Sequence, residues 1–470
     1  MNRFNKLLAV SAVSLAVNNA IAADAYELID LGELDKATSF AYGINNAGEV
    51  VGYSTISVDG EDSLHAFKYL SGSMTDSGAI VNEDPSEAFV LNAKDFSIAF
   101  AINDIGASAG LSKEIVSRDK LDDNDEVVLD SNGDPVIEYL SAERATIFQN
   151  DGTIVKIPFF EDATERQLSS GSSAAAINND GIVVGSAFYD RPDDVDGNGN
   201  STSVYMKHAF IYDSSNELLT AILPENTAVA VTSSFRDINN TGVAVGWHST
   251  ENSTSDTRAV YYDSTISDNL VNLEVYGSED EIAIATAIND SNVVVGRAYR
   301  PDEGHFTAYT HDINTGETNS LGFLNTTSVN GQESEAYDIN NSGQVVGRSI
   351  YSIYPNVYHA FVYDNGEIKD INDLIDCVQE GNEPVGERDW EIVEARSIND
   401  EGVIVGSGIF SRYVNGEPVA ELRAVMLRPK EGEVPVACPV IDDEDESGGG
   451  SIPFISLLLF PLLTTFRKKS

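Results

Sequence analysis

Asp194-Val-Asp196-Gly-Asn198-Gly-Asn200 sets four oxygen-bearing side chains at alternate positions, with Gly199 free to take a sharp turn among them. Alternate carboxylates and amides converging on one hard cation are how a calcium loop begins. The bidentate glutamate that would complete an EF-hand at the twelfth position is replaced by Tyr205. The pattern therefore predicts a weaker loop site, in which Asp194, Asp196, Asn198 and Asn200 hold calcium. Asp130-Ser-Asn132-Gly-Asp134, and Asp122 with Asn124, are looser versions. Acidic Asn/Gly loops also serve as solvated turns, which is the competing reading of all three.

Other chemistry is harder to find. The chain holds no GxSxG elbow, no HExxH helix and no Gly-rich phosphate loop. Of six histidines, His65, His208 and His359 recur at one register, leaving His248, His305 and His311. His305 and His311 lie six apart with Asp312 beside the second, a spacing open to metal or general-base work but equally to scattered surface histidines. Carboxylates are so numerous that their abundance cannot single out an acid–base pair of the glycosidase kind. No catalytic residue is assigned. Two cysteines, Cys377 and Cys438, are too few and too far apart for a CxxC pair or a zinc site. In an oxidising compartment they predict one disulfide closing a loop of about 60 residues, worth roughly 4 kcal/mol in the chain-entropy model.

The elements that must position these groups come from a repeat. Ile-Asn-[Asn/Asp]-x-Gly-x-x-x-Gly occurs seven times, with isoleucines at 44, 102, 177, 238, 288, 339 and 398. Spacings of 50 to 75 residues mean one supersecondary unit used seven times. The first unit carries four β signals, SFAYGIN (39–45), EVVGYS (49–54), HAFKYL (65–70) and MTDSG (74–78), with nothing periodic enough for a core helix. Asn-[Asn/Asp]-x-Gly is a tight turn in which the first side chain bonds its own backbone and Gly accepts positive φ. In the fifth copy Asn292 stands for that Gly, the next-best residue there. The second glycines, at 52, 110, 185, 246, 296, 347 and 406, fall on strand two and predict close backbone approach.

The last unit has a third strand, RAVMLRP (423–429), but no fourth, whereas YELIDLG (26–32) is a fourth strand without its first three. Joining them gives an all-β, seven-bladed β-propeller of four-stranded blades over 23–430, closed by the N-terminal strand. Closure removes the edges that an open array exposes. A β-solenoid is the alternative, but its capping repeats should differ from the central ones. In a blade the Asn turns share one face with the loops after strand three. The long insertions after strand two (112–141 and 191–205) lie on the opposite face, where a ligand is expected.

The third strands read HAF at His65 and His359, KHAF at Lys207, and Arg-Ala at Arg144, Arg258 and Arg423. This resembles the HAF repeat of secreted bacterial proteins, which implies an extracellular repeat fold and no particular activity. A position that accepts His, Arg or Thr307 reads as hydrogen bonding and packing rather than as a general base.

Both ends carry addresses. Arg3 and Lys6 precede an apolar run from Leu7 to Val17, and Ala20-Ile21-Ala22 supplies a cleavage site between Ala22 and Ala23, so residues 1–22 read as a signal peptide. An acidic linker (431–447) leads to Gly448, Gly449 and Gly450, an apolar stretch from Ile452 to Phe466, and Arg467, Lys468 and Lys469. Fifteen residues, interrupted by Pro453 and Pro461, are short for a stable span of roughly 30 Å. The 448–470 tail resembles the GlyGly-CTERM sorting signals of Gram-negative bacteria. That resemblance implies a transient membrane segment, a rhomboid-like sorting protease as partner, and display at the cell surface or release. A plain C-terminal anchor is the alternative.

The chain has 28 basic and 76 acidic residues, and removing the five basic residues of the two ends leaves a net charge of −53. Such a surface repels nucleic acid, whose affinity comes from Lys and Arg displacing counterions. These readings converge on an exported, non-enzymatic binding module for an extracellular polymer or envelope protein. A secreted hydrolase or lyase using channel carboxylates, and a structural matrix protein, are the alternatives.

Overall fold

Seven antiparallel four-stranded sheets stand around a central axis, each packed on its two neighbours and the last on the first. The computed structural model describes residues 25–436, apart from 37, 83–94, 121, 123–126, 161–170, 189–205, 225–230, 251–252, 278–281, 302, 325–330, 354–355, 378, 381–382, 385–388, 415–416 and 431. Six sheets follow chain order from inner to outer strand. The seventh takes its outer strand from the N-terminal segment: Ala25–Asp30 pairs antiparallel with Glu417–Lys430, Ala25 opposite Lys430 and Asp30 opposite Val425. The fold is the seven-bladed propeller expected. Among the described residues the only helix is a single 3-10 turn, Ile371–Leu374.

The cores lie between blades, because both faces of every sheet are covered. That is why strand two reads as paired valines rather than alternating. Val50 packs toward blade seven while Val51 packs toward blade two. The His-Ala-Phe strand divides its residues in the same way: Phe67 packs on Val405, Ala424 and Met426 of blade seven, and Ala66 on Ala99 and Phe148 of blade two. Phe210 and Phe361 repeat the first contact. Burying such a ring stabilises by about 1.5–3 kcal/mol.

The innermost strands are Ser39–Ile44, Ser97–Ile102, Ser172–Ile177, Ser233–Ile238, Ala283–Ile288, Ser334–Ile339 and Trp390–Ile398. Each begins with a joint to the preceding blade wherever serine is present. Ser97 Oγ accepts the N–H of Ala66 (2.9 Å) and donates to Gly78 O (2.6 Å). Ser172, Ser233, Ser334 and Ser39 receive Ala145, Ala209, Ala308 and Ala424 in the same way. At the joint from blade six to blade seven Asn372 substitutes, bonding both N and O of Ile392.

Candidate functional site

Strand one of every blade is an open sheet edge facing the axis, and a bulge controls what it presents. The register with strand two slips just before the motif isoleucine, between Ala41 and Gly43 in blade one and at the matching place in all seven. The second motif glycine sits opposite this slip. A Cβ at Gly52 would fall on the carbonyl of Phe40, and the other six glycines face the equivalent carbonyl just as closely. The glycine thus permits the bulge, and the bulge turns one extra residue toward the axis. Those residues are Tyr42, Phe100, Ala175, Arg236, Thr286, Tyr337 and Arg396, and all seven line a cavity of about 260 Å³.

At the rim, two belts close the ring. In the first, Asn45 donates Nδ2 to Asn103 O (2.9 Å), Asn103 to Asn178 O (2.9 Å), Asn178 to Asn239 O (3.2 Å) and Asn239 to Asn289 O (2.9 Å). Asn289 then donates to Asn340 O (3.2 Å), Asn340 to Asn399 O (3.0 Å) and Asn399 back to Asn45 O (3.2 Å). All seven are buried, and their Oδ1 atoms accept backbone N–H groups of their own turns, as Asn239 does from Thr241 and Val243. Only asparagine offers a donor and an acceptor at this point; aspartate lacks the donor.

The second belt is exposed and mixed: Asn46, Asp104, Asn179, Asn240, Asp290, Asn341 and Asp400. Each backbone N–H bonds Oδ1 of the following member at 2.8–3.0 Å, and Asp400 returns to Asn46. No two aspartates are adjacent, so each carboxylate has an asparagine on either side. Asp104, for example, accepts from Asn179 Nδ2 (2.9 Å) and Asn46 Nδ2 (3.4 Å). Three negative charges at the rim are thereby separated and individually bonded.

Below the rim the wall is lopsided. Blades one to three present Gly43, Ala101 and Ala176, whereas blade four presents Asp237 and blade six Asp338. Asp237 accepts the N–H of Ile238 (2.8 Å) and, across the blade joint, of Ile288 (2.9 Å). Asp338 accepts Ile339 N (2.8 Å), Ile398 N (2.9 Å) and Ser397 Oγ (2.7 Å). Burial raises the Asp237 carboxyl to about 6, against the pull of those N–H bonds. Burial and then the charge of Asp237 raise Asp338 to about 7, with the Ser397, Ile398 and Ile339 bonds opposing. At the floor, Arg396 lies over the rings of Tyr337 (4.1 Å) and Tyr42 (5.7 Å), and Tyr42 meets Phe100 edge-on (5.3 Å). Burial pushes the Tyr337 hydroxyl well above its ordinary value.

The histidines are structural or peripheral. His65 bonds Asp76 (2.9 Å) of its own blade and Asp95 O (3.1 Å) ahead of the next one. His359 bonds Asp370 (2.6 Å) and Glu391 (3.3 Å) in the same arrangement. Where arginine replaces histidine the position still bridges: Arg423 reaches Asp30 (3.0 Å) and Glu33. His248 does not line the cavity; it lies on strand two of blade four and contacts Asn272 (2.8 Å) and Ser249 O (2.7 Å). His305 packs on Phe323 and His311 contacts Thr318 (2.8 Å), so the two do not share a ligand. Among the described residues no group of three His, Cys, Asp or Glu is placed to hold a metal.

The expected calcium ligands Asp194, Asp196, Asn198 and Asn200 lie outside the described residues, as do Ala22 and Ala23, Gly448, Gly449 and Gly450, and Cys438. The looser Asp130 loop is a turn: its carboxylate accepts Asn132 N (2.8 Å) and Asp134 N (3.0 Å). Cys377 is buried, and its N–H bonds Val436 O (2.9 Å), two residues ahead of Cys438. No helix among the described residues is long and apolar enough to cross a membrane. The cavity opens on the Asn-turn face, not on the face of the long insertions where the sequence directed attention.

The family described as Protein of unknown function (DUF3466) matches over residues 32–222, 92–275 and 254–468. The chain belongs to this family. The DUF3466 matches take in both belts and every blade strand except the closing strand Ala25–Asp30. No curated protein matches the sequence. Among solved structures, a protein of unknown function from Dyadobacter fermentans DSM 18053 is 12% identical with a TM-score of 0.38, over 86% of this chain and 98% of that one. TolB from Acinetobacter baumannii is 10% identical with a TM-score of 0.33, over 86% and 97%. Porphyromonas gingivalis dipeptidyl peptidase 4 is 8% identical with a TM-score of 0.38, over 86% and 54%. Likenesses this distant carry no functional argument.

Proposed function

We propose that this member of the DUF3466 family is an exported, surface-displayed or released propeller that acts as a non-enzymatic binding module, with the Asn/Asp-rimmed cavity as its ligand site. One observation carries the reading. The cavity is polar and built by all seven blades, yet its carboxylates and the Thr286, Tyr337 and Ser397 hydroxyls are already engaged by the fold. Asp237 and Asp338 are occupied by backbone N–H groups of the next blade, and Thr286 donates to Ala336 O (2.7 Å). A preformed concave site without a free acid–base pair suits recognition better than turnover. The partner would be the polar end of an extracellular polymer or an envelope protein, which fits the leader around Arg3 and Lys6 and the Gly448–Gly450 tail. Calcium held by Asp194, Asp196, Asn198 and Asn200 would order a loop on the opposite face, and a Cys377–Cys438 disulfide would tie down the end of the ring. The full-length protein presented to surface glycans and envelope proteins should capture a partner, and Asp104→Asn at the rim should change that capture. Turnover without any capture would overturn the proposal.

A second reading, a secreted hydrolase, rests on the Ser397 Oγ to Asp338 contact (2.7 Å) beside a carboxyl raised to about 7. A hydroxyl bonded to a carboxylate of neutral pKa is the minimum of a nucleophile and its base. Loss of a measured turnover in Ser397→Ala, with the fold intact, would favour it.

A further inference from the structure

Four arginines converge at the floor of the channel from blades four to seven, and three have carboxylate partners. Arg297 pairs with Glu333 (3.3 Å) and Glu335 (3.6 Å), Arg348 with Glu335 (3.3 Å) and Arg396 with Glu394 (2.7 Å). Arg236 is different. It lines the cavity and makes no hydrogen bond or ion pair with any described residue. Glu335, the carboxylate whose charge acts on it most, is already shared by Arg297, Arg348 and Tyr337. Arg236 is an exposed side chain, and the cavity it lines is where that exposed surface meets solvent. Partial desolvation by the surrounding channel walls lowers its pKa, Glu335 opposes this, and the charges of Arg396 and Arg297 lower it further.

A guanidinium open to the cavity with all its N–H donors unclaimed by the fold is free to receive an anion from solvent. We infer that the cavity receives a small monocarboxylate, gripped at the floor by Arg236. The inference rests on the reading of this cavity as the ligand site. Its chemistry follows from the groups present. A planar fork of N–H donors fits a carboxylate through two parallel bonds. Dianions such as sulfate are disfavoured, because they must pass Asp104, Asp290 and Asp400 at the rim and sit near Asp237 and Asp338. At the rim the ligand's other end meets amides, and Asn179 and Asn240 form the one junction of the second belt with no aspartate. That end should carry hydroxyls, which makes a uronate a better probe than a simple fatty acid.

The test uses the full-length protein and its Arg236→Gln and Arg236→Lys variants, with thermal unfolding and calorimetry at constant ionic strength. Sodium glucuronate, acetate, sulfate and glucose are the probes. Glucuronate should raise the melting temperature of the native protein in a saturable way, acetate less, glucose and sulfate not at all. Arg236→Gln should weaken glucuronate at least tenfold, and Arg236→Lys, which keeps the charge but not the fork, should weaken it less. Without ligand, Arg236→Gln should melt no lower than the native protein, since an unpaired charge has been removed. No response to either carboxylate, an equal response in Arg236→Gln, or an equal response to sulfate would each overturn the assignment. Partner capture that persists in Arg236→Gln would leave the binding-module reading standing while the carboxylate fails. A native protein that captures nothing would sink that reading itself.

Discussion

The first asparagine belt and the channel floor lie only three residues apart on the same strands, yet the repeat treats them in opposite ways. At the belt all seven blades carry asparagine, each bonded to its own turn and to the next blade. At the floor the seven positions hold two tyrosines, a phenylalanine, an alanine, a threonine and two arginines. Uniformity marks what closing the ring demands. Divergence marks where the ring has been left free to acquire chemistry, and here charge gathers on blades four to seven and is absent from blades one to three.

The sharpest way to break this contrast is at the glycine that permits the bulge. Gly296→Ala would drive a Cβ onto the carbonyl of Ile284 and should cost at least about 3 kcal/mol in urea unfolding, or abolish folding. Gly43→Ala, which meets Ala101 and Phe100 at 3.1 Å, should cost far less, since three other blades carry alanine there. Next comes the belt itself. Asn289→Asp removes the donor to Asn340 O and sets a buried carboxylate against that carbonyl, for a loss of about 2–4 kcal/mol. Asp290→Asn, one residue on and only half-buried, should stay within about 0.5 kcal/mol. Equal costs for the two would end the distinction between the belts.

The floor should respond to pH instead. The Asp338 carboxyl, held at about 7 in the fold against 3.8 in its ordinary state, keeps its proton while the unfolded chain loses one. Stability from this group is therefore greatest in acid and falls as pH rises from about 4 to 7. Asp338→Asn should flatten the decline between pH 5 and 8 by about 1–3 kcal/mol in denaturation midpoints compared across pH. An unchanged slope would mean the carboxyl is ordinary. A smaller effect than that of Asp338→Asn should come from Thr286→Ala, which loses bonds to Val295 O and Ala336 O at a position where blade three already has Ala175. About 1 kcal/mol is expected from thermal unfolding, and a much larger loss would show that the floor, too, is fixed by the fold.

What could be read from sequence was whatever recurs seven times. The blade count, the Asn turn, the tolerated Asn292 (φ 63°) and the close approach at the second glycines all follow from residues that repeat in register. The missing fourth strand of the last unit placed Ala25–Asp30 correctly beside Glu417–Lys430. The inter-blade half of the asparagine's work is hidden in the sequence, because its Oδ1 bonds within the turn already explain the residue and the partner of Nδ2 stands 50 to 75 residues away, or 354 where Asn399 closes the ring. The serine heading strand one was overlooked for the same reason, since it bonds the preceding blade. Arg236, Asp237 and Asp338 escaped because each departs from the repeat. Aligning the seven copies exposes them, with Arg396, as charges at positions otherwise held by Gly, Ala, Ser, Thr or aromatics. The insertion loops stand out by length on the other face, whereas the lining of the described cavity converges at the Asn turns.

The clasp between the two ends has a consequence for how the molecule comes into being. Ala25–Asp30 is among the first segments a ribosome delivers, and its partner, Glu417–Lys430, is among the last of the ring. Six blades can form from neighbours in sequence, but the seventh waits for a strand made a whole ring earlier, the most distant strand pairing among the described residues. Such non-local contacts are the slow ones. The circle of asparagines inherits the same delay, because Asn399 reaches Asn45 only when the ends meet. Until then the cavity has no complete rim, so the rim is finished in a single late event rather than blade by blade.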